Sequence, residues 1–300
     1  MKMYIIVFLS FITICFAQTE EKKEYYDTGS IKKIENYRNG VLNGICKYYS
    51  EDGILKELSE YKNGQRNGNS YYYYPDGVLK EQFYYKDDKY NGTYKSFYQA
   101  GSLKESGNYS NGKPEGVFKN YYETGELKSV QDFSGGIKTG TVYEYYENGK
   151  LKAEAEYINN SQQGITKWYY DNGGLKGEWN YLQGNLHGAS KEYSVNGNLI
   201  AEKNYAYAKL NGISRLYFET GVLKNESNYL NGWRDGVTKS FYEDGSLWTE
   251  QIYKKDKLDG ITKIYRKDKT LWYEEIYEMG TLKSSKEYSE DGELISIKDL

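Results

Sequence analysis

From residue 25 onward, apolar and polar residues alternate over short runs rich in tyrosine and leucine, and each run is closed by glycine or asparagine. An alternation of period two over short, punctuated runs is the pattern of half-buried β-strands joined by tight turns. The runs also repeat. Stepping by 24 from Tyr25 gives Tyr49, Tyr73, Phe97, Tyr121, Tyr145, Tyr169, Tyr193, Tyr217, Phe241 and Tyr265, all aromatic. With aromatics at 17% of the chain, chance would produce that column about once in several hundred million trials. An aliphatic column runs at the same step from Ile31 through Leu55 and Leu127 to Leu271. A second aromatic column runs from Tyr37 to Tyr277 with Phe133 inside it. Two glycine columns complete the unit: Gly29 to Gly245, with Lys269 in the next place, and Gly44 to Gly260 without exception.

The unit GxxxYYxxGxLKxxxxYxNGxxxG predicts a hairpin. In one copy, residues 45–50 and 54–61 read as strands around Glu51, Asp52 and Gly53, a three-residue connection whose final glycine suits the left-handed backbone region. The return connection carries Asn63-Gly64, a pair that favours positive φ. Pairing across the first turn sets Tyr49 opposite Leu55. Strict alternation would bring Tyr61 to the same face. The expected spine is therefore Tyr49, Leu55 and Tyr61, continued by Tyr121 and Leu127, Tyr169 and Leu175, and Tyr217 and Leu223. A lone two-stranded hairpin is not stable, so each repeat must pack on its neighbours. The expectation is an all-β, elongated, single-layer twisted sheet of about eleven tandem antiparallel hairpins. At about 4.8 Å per strand it would extend roughly 100 Å.

Residues 1–17 differ in kind. Lys2 precedes the apolar run YIIVFLSFITICF, which ends at Ala17 and is too short to span a bilayer. This reads as a signal peptide cleaved after Ala17, which implies export to the periplasm, the cell surface or the medium. A charged leader follows at 18–24, then the array at 25–295 with a degenerate last unit, then a tail at 296–300. In that last unit Ser284 stands where glycine is due, and Tyr288, Gly292 and Leu294 arrive one residue early. Terminal repeats are commonly atypical. Of the two cysteines, cleavage leaves Cys46 alone, so no internal disulfide can form.

Composition narrows the function. Mean hydropathy is −0.88, yet 37 Tyr, 32 Gly and only 2 Pro suit an ordered thin sheet, because tyrosine buries a ring while tolerating water at its hydroxyl. Forty basic and 43 acidic residues are interspersed, without the basic patch that nucleic acid requires. The net charge of −3, more negative once Lys2 leaves, disfavours association with an anionic membrane.

No catalytic or cofactor-binding constellation emerges. His187 is the single histidine, in a column that otherwise holds turn residues such as Asn43, Asn67 and Asp235, so no histidine-based triad or zinc cluster can be built. The turn-preceding carboxylates Asp52, Asp76, Asp244 and Asp291 are turn formers that lack calcium-loop spacing. No metal or cofactor is expected, and no enzymatic activity. Candidate contact residues are those that break the repeat average. Tyr72 and Trp168 sit in a mostly polar strand column, with Lys80 and Lys176 expected across the hairpin. Trp179, Trp233, Trp248 and Trp272 add rings. Large rings anchor interfaces, and they can also cover sugar faces.

Units such as YKNGQRNG, YSNGKPEG, YYETGELK and FYEDGSLW resemble MORN-type repeats in their bacterial variant form over residues 25–295. The resemblance implies a single-layer sheet of antiparallel hairpins and a scaffolding role, and its bacterial variants carry an antitoxin label. The signal peptide departs from that pattern and argues against cytoplasmic antitoxin action. The sequence-based expectation is an exported, non-enzymatic scaffold that binds a protein. A glycan-binding module and a toxin-binding immunity protein are the alternatives.

Overall fold

The structure, a computed structural model, describes residues 18–300, so the proposed signal peptide lies outside the described residues. The described chain is 27 strands of open antiparallel sheet with no helix among the described residues. It divides into two compact units, the first ending at Lys113 and the second spanning Pro114–Leu300. Within each unit strands pair with their neighbours in sequence, as consecutive hairpins must. The charged leader is itself strand, Thr19–Tyr25, paired with Ile31–Arg38, and the tail belongs to the strand Leu294–Asp299.

Both turns follow from the residues that form them. In the hairpin of Gly44–Tyr49 and Leu55–Lys62, Ser50 N–H donates 2.8 Å to Ile54 O, Gly53 N–H donates 3.0 Å to Ser50 O, and Gly53 takes φ +87°. At the opposite end Asn63 and Gly64 take φ 51° and 84°, the doubly positive pair that defines a type I′ connection.

Pairing corrects the expected spine. Tyr49 does oppose Leu55, but the next pair is Tyr48 with Glu57, leaving Lys56 as a bulge. One extra residue reverses the alternation. Tyr61 therefore lies opposite Gly44, on the face shared by Cys46 and Ser59, whereas Tyr49 and Leu55 occupy the other. The same shift recurs in the second unit at Tyr121 with Leu127, Tyr169 with Leu175 and Tyr217 with Leu223.

The core is correspondingly narrow. Spine residues are half-buried, and the completely buried positions lie on the Tyr61 face, mostly in one column of smaller side chains: Cys46 and Ser70 at 0% exposure in the first unit, with Ser59 at 0% across from Cys46, and Thr166 and Thr262 at 1% in the second. Cys46 is a free thiol whose pKa burial pushes up, consistent with inert filling. In the last unit Lys283 alone bulges between the pairs Tyr277 with Leu282 and Ile276 with Ser284. Full units place three residues in that interval, as Asn91, Gly92 and Thr93 do between Tyr85 with Tyr90 and Phe83 with Tyr94.

Candidate functional site

Three ladders bind one repeat to the next and so fix what each surface can present. At the type I turn end, the second tyrosine of the YY pair donates its hydroxyl to the carbonyl 23 residues ahead: Tyr26 to Tyr49 at 2.7 Å, Tyr74 to Phe97 at 2.9 Å, Tyr146 to Tyr169 at 2.8 Å. The lysine of the LK pair caps the same ring, with Nζ 6.0 Å from the Tyr74 centroid for Lys80 and 5.7 Å from Tyr170 for Lys176. At the type I′ end, the turn amide donates to a main-chain carbonyl of the preceding repeat, as Gly64 does to Leu42 at 2.8 Å and Gly232 to Leu210 at 2.8 Å. A third ladder lies on the outer face, opposite the buried column. There Asn36, Asn180, Asn204 and Asn228 each donate from Nδ2 to the carbonyl across the bulge, 2.6–2.9 Å away.

Two apolar surfaces of the second unit escape these ladders. On the outer face the asparagine column, which also holds Glu60, Tyr84, Asp132 and Glu156, becomes Ile252 and Ile276. Val237 pairs directly with Ile252, and Ile261 with Ile276. The four are 37–44% exposed. Ile252 packs at the position of Gly260, where a Cβ would meet it at 3.2 Å, so the row is continuous. Near its type I′ end, Leu230 and Trp233 pair and are 53% and 55% exposed.

At the type I turn end, a notch of about 550 Å³ opens between successive hairpins, walled by Phe218, Phe241, Tyr242 and Trp248. The corresponding notches at Tyr73 and at Tyr145 hold about 200 and 120 Å³. Lys224 Nζ stands 5.4 Å from the Phe218 centroid and Lys267 Nζ 5.8 Å from that of Tyr242. Lys267 and Lys269 help hold the nearby Asp244 carboxyl below its usual range, behind the larger effect of its hydrogen bonds from Ser246.

The candidate contact residues divide among these places. Tyr72 and Trp168 are half-buried on the packed face. Tyr72 lies within 3.2 Å of the Tyr85 hydroxyl, edge-on to Phe83. The residues across from Tyr72 and Trp168 are Glu81 and Gly177, not Lys80 and Lys176, because the bulge moves those lysines onto Tyr74 and Tyr170. Trp179 lies against Gly177, where a Cβ would stand 2.5 Å from the ring. Trp233 belongs to the outer row, Trp248 to the notch, and Trp272 lies under the Arg266 guanidinium at 5.3 Å. His187 meets Tyr207 edge-on, with centroids 5.0 Å apart. The outer aliphatic row escaped sequence reading, although an Asn-to-Ile change at Ile252 and Ile276 was a visible signal.

Packed on the inner face of the first unit is a polar network. Glu35 accepts hydrogen bonds from Tyr37 at 2.9 Å and Tyr48 at 3.2 Å and pairs with Lys33 at 3.0 Å. Burial works to raise its pKa, yet the hydrogen bonds from Lys33 and the two phenols hold it below the usual range. Burial drives Tyr94 up to about 12. Glu35, Lys33, Tyr37 and Tyr48 hold one another, while Tyr94 donates separately to Glu105 at 3.2 Å.

The family described as MORN repeat variant matches ten tandem segments: 21–39, 42–63, 66–87, 90–111, 114–134, 138–159, 162–183, 186–207, 210–231 and 234–255. No match to a curated protein is found. Solved structures that align with the chain include TcdB2-TccC3-Cdc42 at 13% identity and a TM-score of 0.19, covering 94% of this chain and 17% of that one. TcdB2-TccC3 aligns at 11% identity and a TM-score of 0.14, covering 94% and 18%. The chain thus spans less than a fifth of those proteins.

Proposed function

Since this chain belongs to the MORN repeat variant family and is a tandem-hairpin scaffold, we propose that it is an exported, non-enzymatic protein that binds a protein partner through the outer face of its C-terminal hairpins. The observation that carries this reading is the row Val237, Ile252, Ile261 and Ile276, each more than a third exposed, where Ile252 and Ile276 replace the asparagines Asn180, Asn204 and Asn228 of the repeats before them. Contiguous exposed aliphatic surface rimmed by polar groups marks a protein interface. Export rests on the charge and apolar pattern of residues 1–17.

The test is capture from a cell-envelope extract by immobilised residues 18–300, with half of the extract protease-treated. The reading predicts capture that protease abolishes and that the Ile252→Glu/Ile276→Glu double variant loses while keeping its melting temperature. Capture that survives protease, or that ignores the double variant, contradicts it. Persistence after protease would move the assignment to a glycan.

A further inference from the structure

We infer that the notch between the hairpins at Phe218 and Phe241 is a recognition site for a large apolar side chain flanked by acidic residues in a peptide segment of the partner. The inference rests on the protein-binding reading above and gives the chemistry of a second contact.

The notch is a repeat feature altered in three coordinated ways. Where Tyr26, Tyr74, Tyr122, Tyr146, Tyr170 and Tyr242 each tie a ring to the next repeat's carbonyl through the hydroxyl, residue 218 is phenylalanine, which keeps the ring but has no hydroxyl to give. Where most repeats place the ring-capping lysine, residue 248 is tryptophan, 47% exposed and 5.9 Å from the Tyr242 centroid. A strand column that is polar at Ser96, Asn120, Glu144, Glu192 and Ser240 holds Leu216, 41% exposed. Together these changes accompany an opening of about 550 Å³ against 200 and 120 Å³ at the corresponding notches.

Its chemistry selects among occupants. The walls are aromatic and aliphatic, so the occupant must be apolar. The polar groups at the base satisfy each other: Asn225 Nδ2 donates to Ser240 Oγ at 3.2 Å, and Asn225 Oδ1 accepts from Ser227 at 2.7 Å. Tyr242 donates its hydroxyl to Tyr265 O at 2.9 Å. A sugar ring, which needs hydrogen bonds for its hydroxyls, would find most of them taken. Two ammonium groups, Lys224 and Lys267, line the notch against one carboxylate, Glu243, so charge complementarity favours an acidic flank.

The experiment uses residues 18–300 and a fluorescein-labelled hexapeptide with a central tryptophan between glutamates. Its controls are a lysine-flanked twin, an alanine-centred twin and a labelled oligogalacturonide. Fluorescence anisotropy should show the acidic tryptophan peptide bound about tenfold tighter than any control. Phe218→Tyr, whose hydroxyl would bridge the notch to the Phe241 carbonyl, and Lys224→Gln should each weaken it several-fold without lowering the melting temperature. Equal binding of the peptides, no binding of any, tighter binding of the oligogalacturonide, or indifference to both variants overturns the inference. If the envelope partner is captured normally by these variants, the notch assignment fails while the scaffold reading stands. If no protein is captured by the unaltered chain, the scaffold reading itself fails.

Discussion

The hydroxyl of Tyr146 donates 2.8 Å to the main-chain carbonyl of Tyr169, one repeat ahead, while Lys152 Nζ lies 6.0 Å over the same ring. This pairing explains why the repeat spells YY and LK: the first tyrosine faces its leucine, and the second ties two hairpins together beneath the lysine. Removing the hydroxyl with Tyr146→Phe should cost about 1 kcal/mol in urea unfolding followed by circular dichroism. An unchanged midpoint would mean that the bond does not hold the repeats together.

Lys269 occupies the turn-glycine column with φ +74°, a backbone region that an L side chain adopts at a cost of about 1 kcal/mol or more. Lys269→Gly should therefore stabilise the chain by roughly 0.5–1 kcal/mol, even though glycine normally weakens strands. Calorimetry that shows destabilisation would refute the positive-φ assignment there.

Gly140 takes φ +71° beside the bulge, with Asp132 Cβ 3.9 Å from where a Cβ would stand. Space is sufficient, so conformation is the obstacle, and a β-branched residue resists positive φ. Gly140→Val should lower the melting temperature more than Thr141→Val at the next position. Equal shifts would show that the backbone there does not need glycine.

Glu35 has a folded-state pKa below its ordinary 4.5 because hydrogen bonds from Lys33, Tyr37 and Tyr48 outweigh its burial. A depressed carboxylate contributes stability above its unfolded pKa, and that contribution is lost as pH falls through the folded value. Stability should thus decline below pH 4.5, and Glu35→Gln should decline less over the same range while losing about 2 kcal/mol at neutral pH. Parallel pH profiles for the two proteins would remove Glu35 from the acid response.

The repeat period, both turns and the antiparallel hairpins were legible because they rest on residue types that only one backbone geometry suits, as Asn63-Gly64 and Gly53 show. The face of Tyr61 was not legible. A single bulged residue, Lys56, reverses alternation, and nothing in lysine's chemistry marks a bulge. The same reversal moved Lys80 from Tyr72 to Tyr74. The buried column escaped for a different reason: Cys46, Ser70, Tyr94, Phe118 and Thr166 share a position but no residue type, since a thin sheet fills each gap with whatever its neighbours leave. Of the candidate contact residues, Trp233 and Trp248 reach the two open surfaces, while Tyr72, Trp168 and Trp179 serve the packed face, because ring size alone does not reveal which side of a strand a ring takes.

The central claim is that this chain is a register-locked repeat array, and deletion tests it most directly. Removing residues 138–161 joins Ile137 to Gln162 with every column preserved, whereas removing residues 138–149 destroys the register over a shorter cut. The account predicts that the 24-residue deletion keeps a β-sheet circular dichroism spectrum and a cooperative melt, and that the 12-residue deletion loses both. Equal loss in the two, or better survival of the smaller deletion, would contradict it.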